Sequence, residues 1–345
     1  GCVPPKSLLG ENPSVNLKHN PARPKTAEQM KKITAVNTTF RRPRTLHRAI
    51  TSVMQQKQTP DELLVIDNAN DGETAQIVSS FKGAETTPIR YIVERKRGAS
   101  AARNRGILEA AYDNVAFLDD DDVWLPNHLY DFTNITRDMG RIALFAGMLG
   151  RFSNPSTLII PETTNLFKDY TDEENSEILL RRRMPLARPF FTPSMSVSII
   201  DTHYARAVLF DEELIGREDI YFVWRLGGAG DIVLHKRVHG LADQLEESLF
   251  SVMPNAKGSE RLRMDLKKSN YGVLMLEKVL ESMPPTPELT DALASAYFDA
   301  AYFNAMAGNT KIAFEHLRRS ARVKPRIQHL RLAVRVALSP LKRLA

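Results

Sequence analysis

Cysteine is almost missing from this chain. The single one, Cys2, stands at the second position, so no internal disulfide can form. That fits a chain made for a reducing cytoplasm. Long apolar runs are missing too. Nothing approaches the ~18–20 residues that a membrane-crossing helix needs, and residues 1–30 hold no apolar stretch of the kind a secretory signal carries. Gly1-Cys2 is a poor acylation start, because Pro5 stands where the myristoylation motif needs Ser or Thr. There is no G-x-x-x-x-G-K-[ST] and no G-x-G-x-x-G after a strand, which excludes two common phosphate cradles. Acid is missing from one end. His316–Ala345 holds nine Lys/Arg and no Asp or Glu, leaving 38 bases against 41 acids in residues 1–315. The net charge of +6 is therefore a property of the tail. A nucleic-acid binder carries it across the folded body, so no nucleic-acid partner is expected.

What is present reads as βα repeats. Residues 1–31 are polar and Pro-rich and predict an extended arm. ITAV (33–36), ELLVID (62–67), IRYIVE (89–94) and NVAFLD (114–119) predict buried strands. Between them, residues 45–56, 72–81 and 100–112 predict helices, the first with Leu46, Ile50 and Val53 on one face. Alternation of this kind implies parallel pairing and a three-layer α/β sandwich. Ligands of such sheets bind beyond the carboxyl ends of the strands, where Asp67 and Asp119 fall. Further on, MSVSII (195–200) and DIVLH (231–235) predict strands, and EDIYFVWRL (218–226) a helix. From about residue 258 the pattern is helical, with a hairpin over 289–326 turning at Gly308-Asn309. It is similar to one tetratricopeptide-type unit, too short for a solenoid and suited to a cap on the α/β body. Trp124 and Trp224 read as packing residues.

FLDDDDVW (117–124) puts four carboxylates behind an apolar run. Two carboxylates ~5 Å apart at an effective dielectric of ~20 repel by ~3 kcal/mol. A solvated turn relieves this by letting the side chains splay. A hard divalent cation, Mg²⁺ or Mn²⁺, relieves it through oxygen ligands. Alternate residues of an extended backbone, Asp119 and Asp121, can face such an ion together.

Five segments, in order, make the resemblance specific. TTFRRP (38–43), VIDNANDGET (65–74), RGASAARNRG (97–106), FLDDDDVWLPNHL (117–129) and FDEELIGREDIYFVWRL (210–226) resemble the successive motifs of a family 2 glycosyltransferase with the GT-A fold. The resemblance covers residues 32–250, followed by a helical C-terminal region over 258–345. It implies transfer of a sugar, hexosyl or N-acetylhexosaminyl, from a nucleotide-sugar donor, first of all a UDP-sugar, to a glycan or glycolipid acceptor. It further implies that Thr39, Phe40, Arg42, Asp67, Asn68, Arg103, Asp119 and Asp120 line the nucleotide pocket. Asp121 would be the main metal ligand, with Asp119 and His239 completing the set around Mn²⁺ or Mg²⁺. Asp219 would be the base of an inverting transfer, with Glu218 its helper. Residue type alone also accounts for Glu218 and Asp219 as acids favoured in a helix's first turn, and for Arg103 as a surface arginine. Asn68 stands where relatives carry an aspartate that accepts a hydrogen bond from uracil. An amide there can also donate to cytosine.

RIQHLRLAVRVAL (326–338) spaces Ile327, Leu330, Val334 and Leu338 as one helical face, with Arg331 and Arg335 elsewhere. Two readings fit: contact with an anionic membrane surface at the inner face of a cell, or a packed terminal helix with solvated arginines. An inactive relative serving as an interaction module is the alternative function, and the intact DDDD and ED segments argue against it. A nucleotidyltransferase would need a second metal site and a phosphate-gripping loop at the first strand. The acceptor pocket is expected from residues 155–190.

Overall fold

A computed structural model describes residues 31–81, 83, 87–154, 157–159, 178–182, 193–243, 258–325 and 327–338. The expected arm and most of the expected acceptor stretch lie outside the described residues. From Lys31 onward the chain forms one unit by its contacts.

Four parallel strands start the sheet: β1 (Ile33–Thr39), β2 (Glu62–Asp67), β3 (Ile89–Val93) and β4 (Asn114–Asp119). Their side chains alternate between two cores, as a period of two requires. Val36, Leu64, Ile66 and Phe117 face one layer, and Ala35, Leu63, Val65 and Leu118 face the other. Burial on both faces is why these segments are nearly continuous apolar runs. Register lines up the carboxyl ends. Thr39 pairs with Asp67, and Thr38 pairs with Asp119.

The connecting helices are α1 (Pro43–Met54), α2 (Gly72–Ser80) and α3 (Ala99–Glu109). Helix α1 opens on a proline, whose missing N–H costs nothing there. Its Leu46, Ile50 and Val53 enter one core, as their spacing predicts. Asp71 caps α2 by accepting from the Thr74 amide at 2.7 Å. Ala102 and Ile107 of α3 enter the opposite core.

Beyond β4 the sheet becomes mixed. β5 (Asp122–Trp124) follows the aspartates directly, then α4 (His128–Ile135), β6 (Leu144–Asn154), β7 (Thr157–Ile159), β8 (Ile178–Arg182), β9 (Ser198–Asp201), α5 (Thr202–Val208), α6 (Glu218–Ala229) and β10 (Asp231–Asp243). The order is β3-β2-β1-β4-β9-β6-β10-β5, with β7 on β6 and β8 on β10. β9 runs antiparallel to both β4 and β6, and β5 antiparallel to β10. The predicted strand at 195–200 begins only at Ser198. Residues Met195–Val197 form a 3₁₀ turn, with the Ser196 amide donating to Ser194 Oγ at 3.3 Å. The strand predicted at 231–235 runs on to Asp243.

Four helices follow: α7 (Ser259–Ser282), α8 (Pro287–Met306), α9 (Thr310–Val323) and α10 (Ile327–Leu338). α8 and α9 turn at Gly308, whose φ of +83° favours glycine. Val273, Leu276, Leu289 and Leu293 of α7 and α8 pack with Leu214 and Tyr221, so the helices build a core on the segment that leads into α6. On α10 the buried residues are His329 and Leu332, while Ile327 and Leu330 are exposed. Ser320 Oγ lies 2.9 Å from His329 Nε2, which fixes this face inward. The side chains of Val334, Arg335 and Leu338 lie outside the described residues. Among the described residues, no helix is long and apolar enough to cross a membrane.

α3 lies so close on β1 that a Cβ at Gly106 would fall 2.4 Å from Val36 Cγ1. Gly106→Ala should gain up to ~1 kcal/mol of helix propensity and lose ~1–3 kcal/mol to overpacking. Net destabilisation is the expected result in urea denaturation. A net gain would show that Val36 can turn aside.

Candidate active site

The site assembles at the carboxyl edge of β1, β2 and β4. Asp67, fully buried at the end of β2, spends its carboxylate on its own loop. Oδ1 accepts from the amides of Ala69 and Asn70, both at 2.8 Å, and Oδ2 accepts from the Asp71 amide at 3.1 Å and from Tyr91 Oη at 2.6 Å. Burial and the Asp67 carboxylate raise the Tyr91 phenol well above its ordinary range. Asn68 is spent on a neighbouring loop. Its Nδ2 donates to the carbonyls of Glu94 and Lys96, at 3.0 and 2.7 Å, and its Oδ1 accepts from the Gly98 amide at 2.8 Å. These two residues therefore shape the floor and the 94–98 loop, and both oxygens of Asp67 are committed. Phe40 stands out of this floor, 40% exposed, with Arg41 and Arg97 guanidinium carbons 5.4 and 5.9 Å from its ring centre.

The four aspartates have four environments. Asp119 is the most open of the ion-paired ones, its side chain 32% exposed. It accepts from Arg103 Nη2 at 2.9 and 3.2 Å, and its amide donates to Ser196 Oγ at 3.2 Å. Asp120 turns inward and accepts from Thr39 Oγ1 at 2.8 Å, the Phe40 amide at 3.1 Å and Arg42 Nη1 at 3.2 Å. Asp121 pairs with the same Arg42 nitrogen, and its carbonyl accepts from Arg48 Nη2 at 3.0 Å. Asp122, buried on β5, is hydrogen-bonded to Ser196.

Burial is the largest influence on the last three. It pushes the Asp120 carboxyl up to about 6, against the pull of Arg42 and Thr39. Burial and then Asp119 raise Asp121. Burial, Asp119 and Asp121 raise Asp122 well above the ordinary carboxylate range. For Arg42 burial lowers the guanidinium, but Asp120 and Asp121 outweigh it. Burial thus makes the charged forms of these three carboxyls costly. Asp119 and Asp121, set on a turn with oxygen donors, fit a hard divalent cation.

Arg103 joins this turn to the second carboxylate pair. It is 8% exposed, and its Nη1 lies 3.4 Å from Glu218 Oε1 while Nη2 holds Asp119. Burial pulls its pKa down, and Asp119 and Glu218 more than restore it. Asn104, the next residue, bolts the approach to α6. It donates to the Phe210 carbonyl at 3.0 Å and to Glu212 at 2.9 Å, and accepts from the Phe210 amide at 2.7 Å. Lys96 pairs with Glu212. Glu218 is held at both oxygens, by Arg103 and by the Gly216 amide at 2.6 Å. Asp219 differs. Among the described residues only Oδ1 has a donor, the Ile220 amide at 2.7 Å, and Oδ2 has none. Burial first, then Glu218, raises the Asp219 carboxyl above its usual range.

His239 lies apart from the aspartates. Its carbonyl accepts from the Leu125 amide at 2.8 Å, and Ala242, three residues on, pairs with Asp122. At strand spacing that is about 10 Å from the turn. Its buried ring lies between His128 and His235. Burial first, and then His235 and Arg237, pull it down to about 3.

Sequence reasoning missed Asn104 as the bolt to residues 210–212, although it sits inside a quoted motif. It missed Ser196 too, whose carbonyl accepts from Trp124 Nε1 at 2.6 Å and whose hydroxyl serves Asp119 and Asp122. A lone serine 77 residues from Asp119 leaves no local signal.

Asp120 gives a pH test. Its folded pKa lies above the unfolded value of ~3.9, so the stability it contributes is complete below ~pH 4 and is lost as pH rises through about 6. Denaturant titrations should show wild type losing on the order of 1–3 kcal/mol relative to Asp120→Asn between those values. A pH-independent difference would assign the carboxyl an ordinary pKa.

With this geometry in view, three relatives are informative. Residues 34–197 match the family described as "Glycosyl transferase family 2". The chain is 34% identical over 113 residues to the poly(ribitol-phosphate) beta-N-acetylglucosaminyltransferase TarP of Staphylococcus aureus, a match spanning 32% of this chain and 34% of that protein. It is 25% identical over 307 residues to the GalNAc(5)-diNAcBac-PP-undecaprenol beta-1,3-glucosyltransferase of Campylobacter jejuni, spanning 86% of this chain and 90% of that one. Among solved structures, S. aureus TarS 1–349 in complex with UDP-GlcNAc superposes with a TM-score of 0.59 at 15% identity, over 90% of this chain and 88% of that one. That likeness is one of fold. The family match and the sheet it falls on agree: residues 34–197 belong to glycosyl transferase family 2, and the chain is a glycosyltransferase of GT-A fold.

Proposed function

We propose that the chain transfers a sugar from a nucleotide-sugar donor, first of all a UDP-sugar, to a hydroxyl of a glycan or glycolipid, with inversion. One observation carries this reading. A single buried arginine, Arg103, holds the donor-side aspartate, Asp119, and the acceptor-side acid, Glu218, within one site. The UDP-GlcNAc bound to S. aureus TarS makes uridine diphosphate sugars the first donors to test. Phe40, exposed between two arginines, offers a flat face to a base.

Asp121 and Asp119 would hold Mn²⁺ or Mg²⁺, which supplies charge stabilisation for the departing diphosphate. Arg42, paired with Asp120 and Asp121, keeps the turn's shape. On the other side Asp219 Oδ2 takes the proton of the acceptor hydroxyl as its oxygen bonds to the anomeric carbon. The bond from that carbon to the diphosphate oxygen breaks, and its electron pair leaves with the nucleoside diphosphate. Desolvation makes Asp219 a better base than an exposed aspartate. Glu218, held at both oxygens, positions the helix end rather than taking the proton.

A cleft of ≈ 650 Å³ between α7 and α8 opens beside Arg217, two residues from Asp219. Asp299, Ser269 and Ser295 line it with hydrogen-bonding groups and Phe303 with an apolar face, a mixture suited to a polyhydroxylated acceptor. The exposed Ile327 and Leu330 beside Arg331 suit contact with an anionic leaflet, where a lipid-linked acceptor would lie.

Calorimetric titration of UDP should show binding that needs Mn²⁺ and is lost in Asp121→Ala. Asp219→Asn should retain that binding and lower kcat by ~10²–10⁴. Tight UDP binding unchanged by chelator and by Asp121→Ala would overturn the donor site. A Cβ at Gly272 would meet no atom within 4 Å, because the residue faces the cleft. Gly272→Leu should therefore fold, keep hydrolysis of the donor by water, and raise the acceptor KM. An unchanged KM would move the acceptor elsewhere.

A further inference from the structure

A second cluster of metal-ligating groups lies outside the site just described, between α4 and β10. Asp131 of α4 and His235 and His239 of β10 each offer one ligand atom, and these atoms lie within 4.8 Å of one another. His235 and His239 are 3% and 1% exposed, and Asp131 is 9% exposed.

The chain is irregular where this happens. On an even strand, residues four apart are separated by ~13 Å. Here His235 Nδ1 and His239 Nε2 are 2.7 Å apart. Register against β6 shifts between Leu234 and Val238 and again between Val238 and Gly240, which gathers the two rings. Bulges of this kind re-aim side chains. β6 accommodates them with Gly147, where a Cβ would fall 2.2 Å from His239 Cδ2.

The surroundings match the needs of a ligating imidazole. A metal-bound histidine usually gives its other ring nitrogen to a hydrogen-bond partner. His239 Nδ1 has one, His128 Nδ1 at 2.9 Å. A proton on His239 Nδ1 leaves its Nε2 lone pair directed at His235 and at Asp131 Oδ2, which is 3.9 Å away. In that arrangement His128 carries its own proton on Nε2, a buried atom with no hydrogen-bond partner. Arg237 Nη1 also reaches Asp131 Oδ2, at 3.4 Å, so the carboxylate is anchored from the surface side as well.

We propose that Asp131, His235 and His239 bind a second metal ion, of the borderline class of Zn²⁺, that clamps α4 to β10. Two imidazoles and one carboxylate are a donor set for Zn²⁺ or Fe²⁺ rather than for Mg²⁺. The site is separate from the hard oxygen donors of the aspartate turn and does not rest on the reading of that turn. Its place gives it a structural task. α4 follows the aspartates within one short strand, and β10 pairs with that strand, so the ion would hold the turn's frame from behind.

The test is equilibrium dialysis of the full chain, stripped by chelator, against equimolar Zn²⁺, followed by elemental analysis. One zinc per chain is expected in wild type and in Asp119→Asn/Asp121→Asn, and close to none in His235→Asn. His128→Phe should bind ~10–100-fold more weakly, as loss of an orienting partner does. Melting curves of wild type guard against a variant that fails to fold. Zn²⁺ should raise the Tm, and Mg²⁺ at the same concentration should not. Absence of stoichiometric zinc in wild type, or equal uptake in folded His235→Asn, would overturn the proposal.

Discussion

Arg103 is a buried cation whose two carboxylate partners arrive from distant parts of the chain. Asp119 comes from the end of β4, and Glu218 from the start of α6. Desolvating a guanidinium is costly unless it is paired and hydrogen-bonded. The fold therefore has to bring both acids to it, and in doing so it joins the edge of the sheet to the helix that carries Asp219. Removing either acid would leave Arg103 buried and half-paired. The neighbouring Asn104 fastens residues 210–212 to the same helix.

The aspartate turn follows a different rule. Its acids are not balanced one by one. Asp120 is given a hydroxyl, an amide and half of Arg42, and Asp121 has the other half. Burial is the first cause of their raised proton affinities, and Arg42 offsets only part of it. The cation proposed for Asp119 and Asp121 would relieve that cost with charge of the opposite sign.

Much of the fold could be read from the sequence where burial on both faces produced continuous apolar runs, as in β1, β2 and β4. The helical period of α1 was as plain. β6 and β5 were less legible. β5 is three residues long and begins inside the acidic run, where charge hides the strand pattern. In the site, residue types and their order pointed to Asp119, Asp121, Arg103 and the Glu218–Asp219 pair. The resemblance gave Asp219 the base's part and Glu218 the helper's, but which of their oxygens already have donors is visible only in the fold. Residue types did not show that Asp67 is spent on its own loop and Asn68 on the loop of residues 94–98, since a hydrogen bond to the backbone leaves the same letters as one to a ligand. The ring neighbours of His239 were not legible either, because two strand irregularities change which rings meet.

The core shared by Leu214, Tyr221 and helices α7 and α8 bears on how much of the chain is dispensable. Lys278 of α7 also holds Asp211 at 2.9 Å and Glu213 at 2.7 Å, on the segment that Asn104 grips from the other side. Shortening the protein to its α/β body would strip an apolar face from α6 and free one flank of that segment. The helices are thus part of the active domain's framework. Changes of length are better tolerated beyond α9, where among the described side chains α10 buries His329 and Leu332, than anywhere between Glu218 and Leu293.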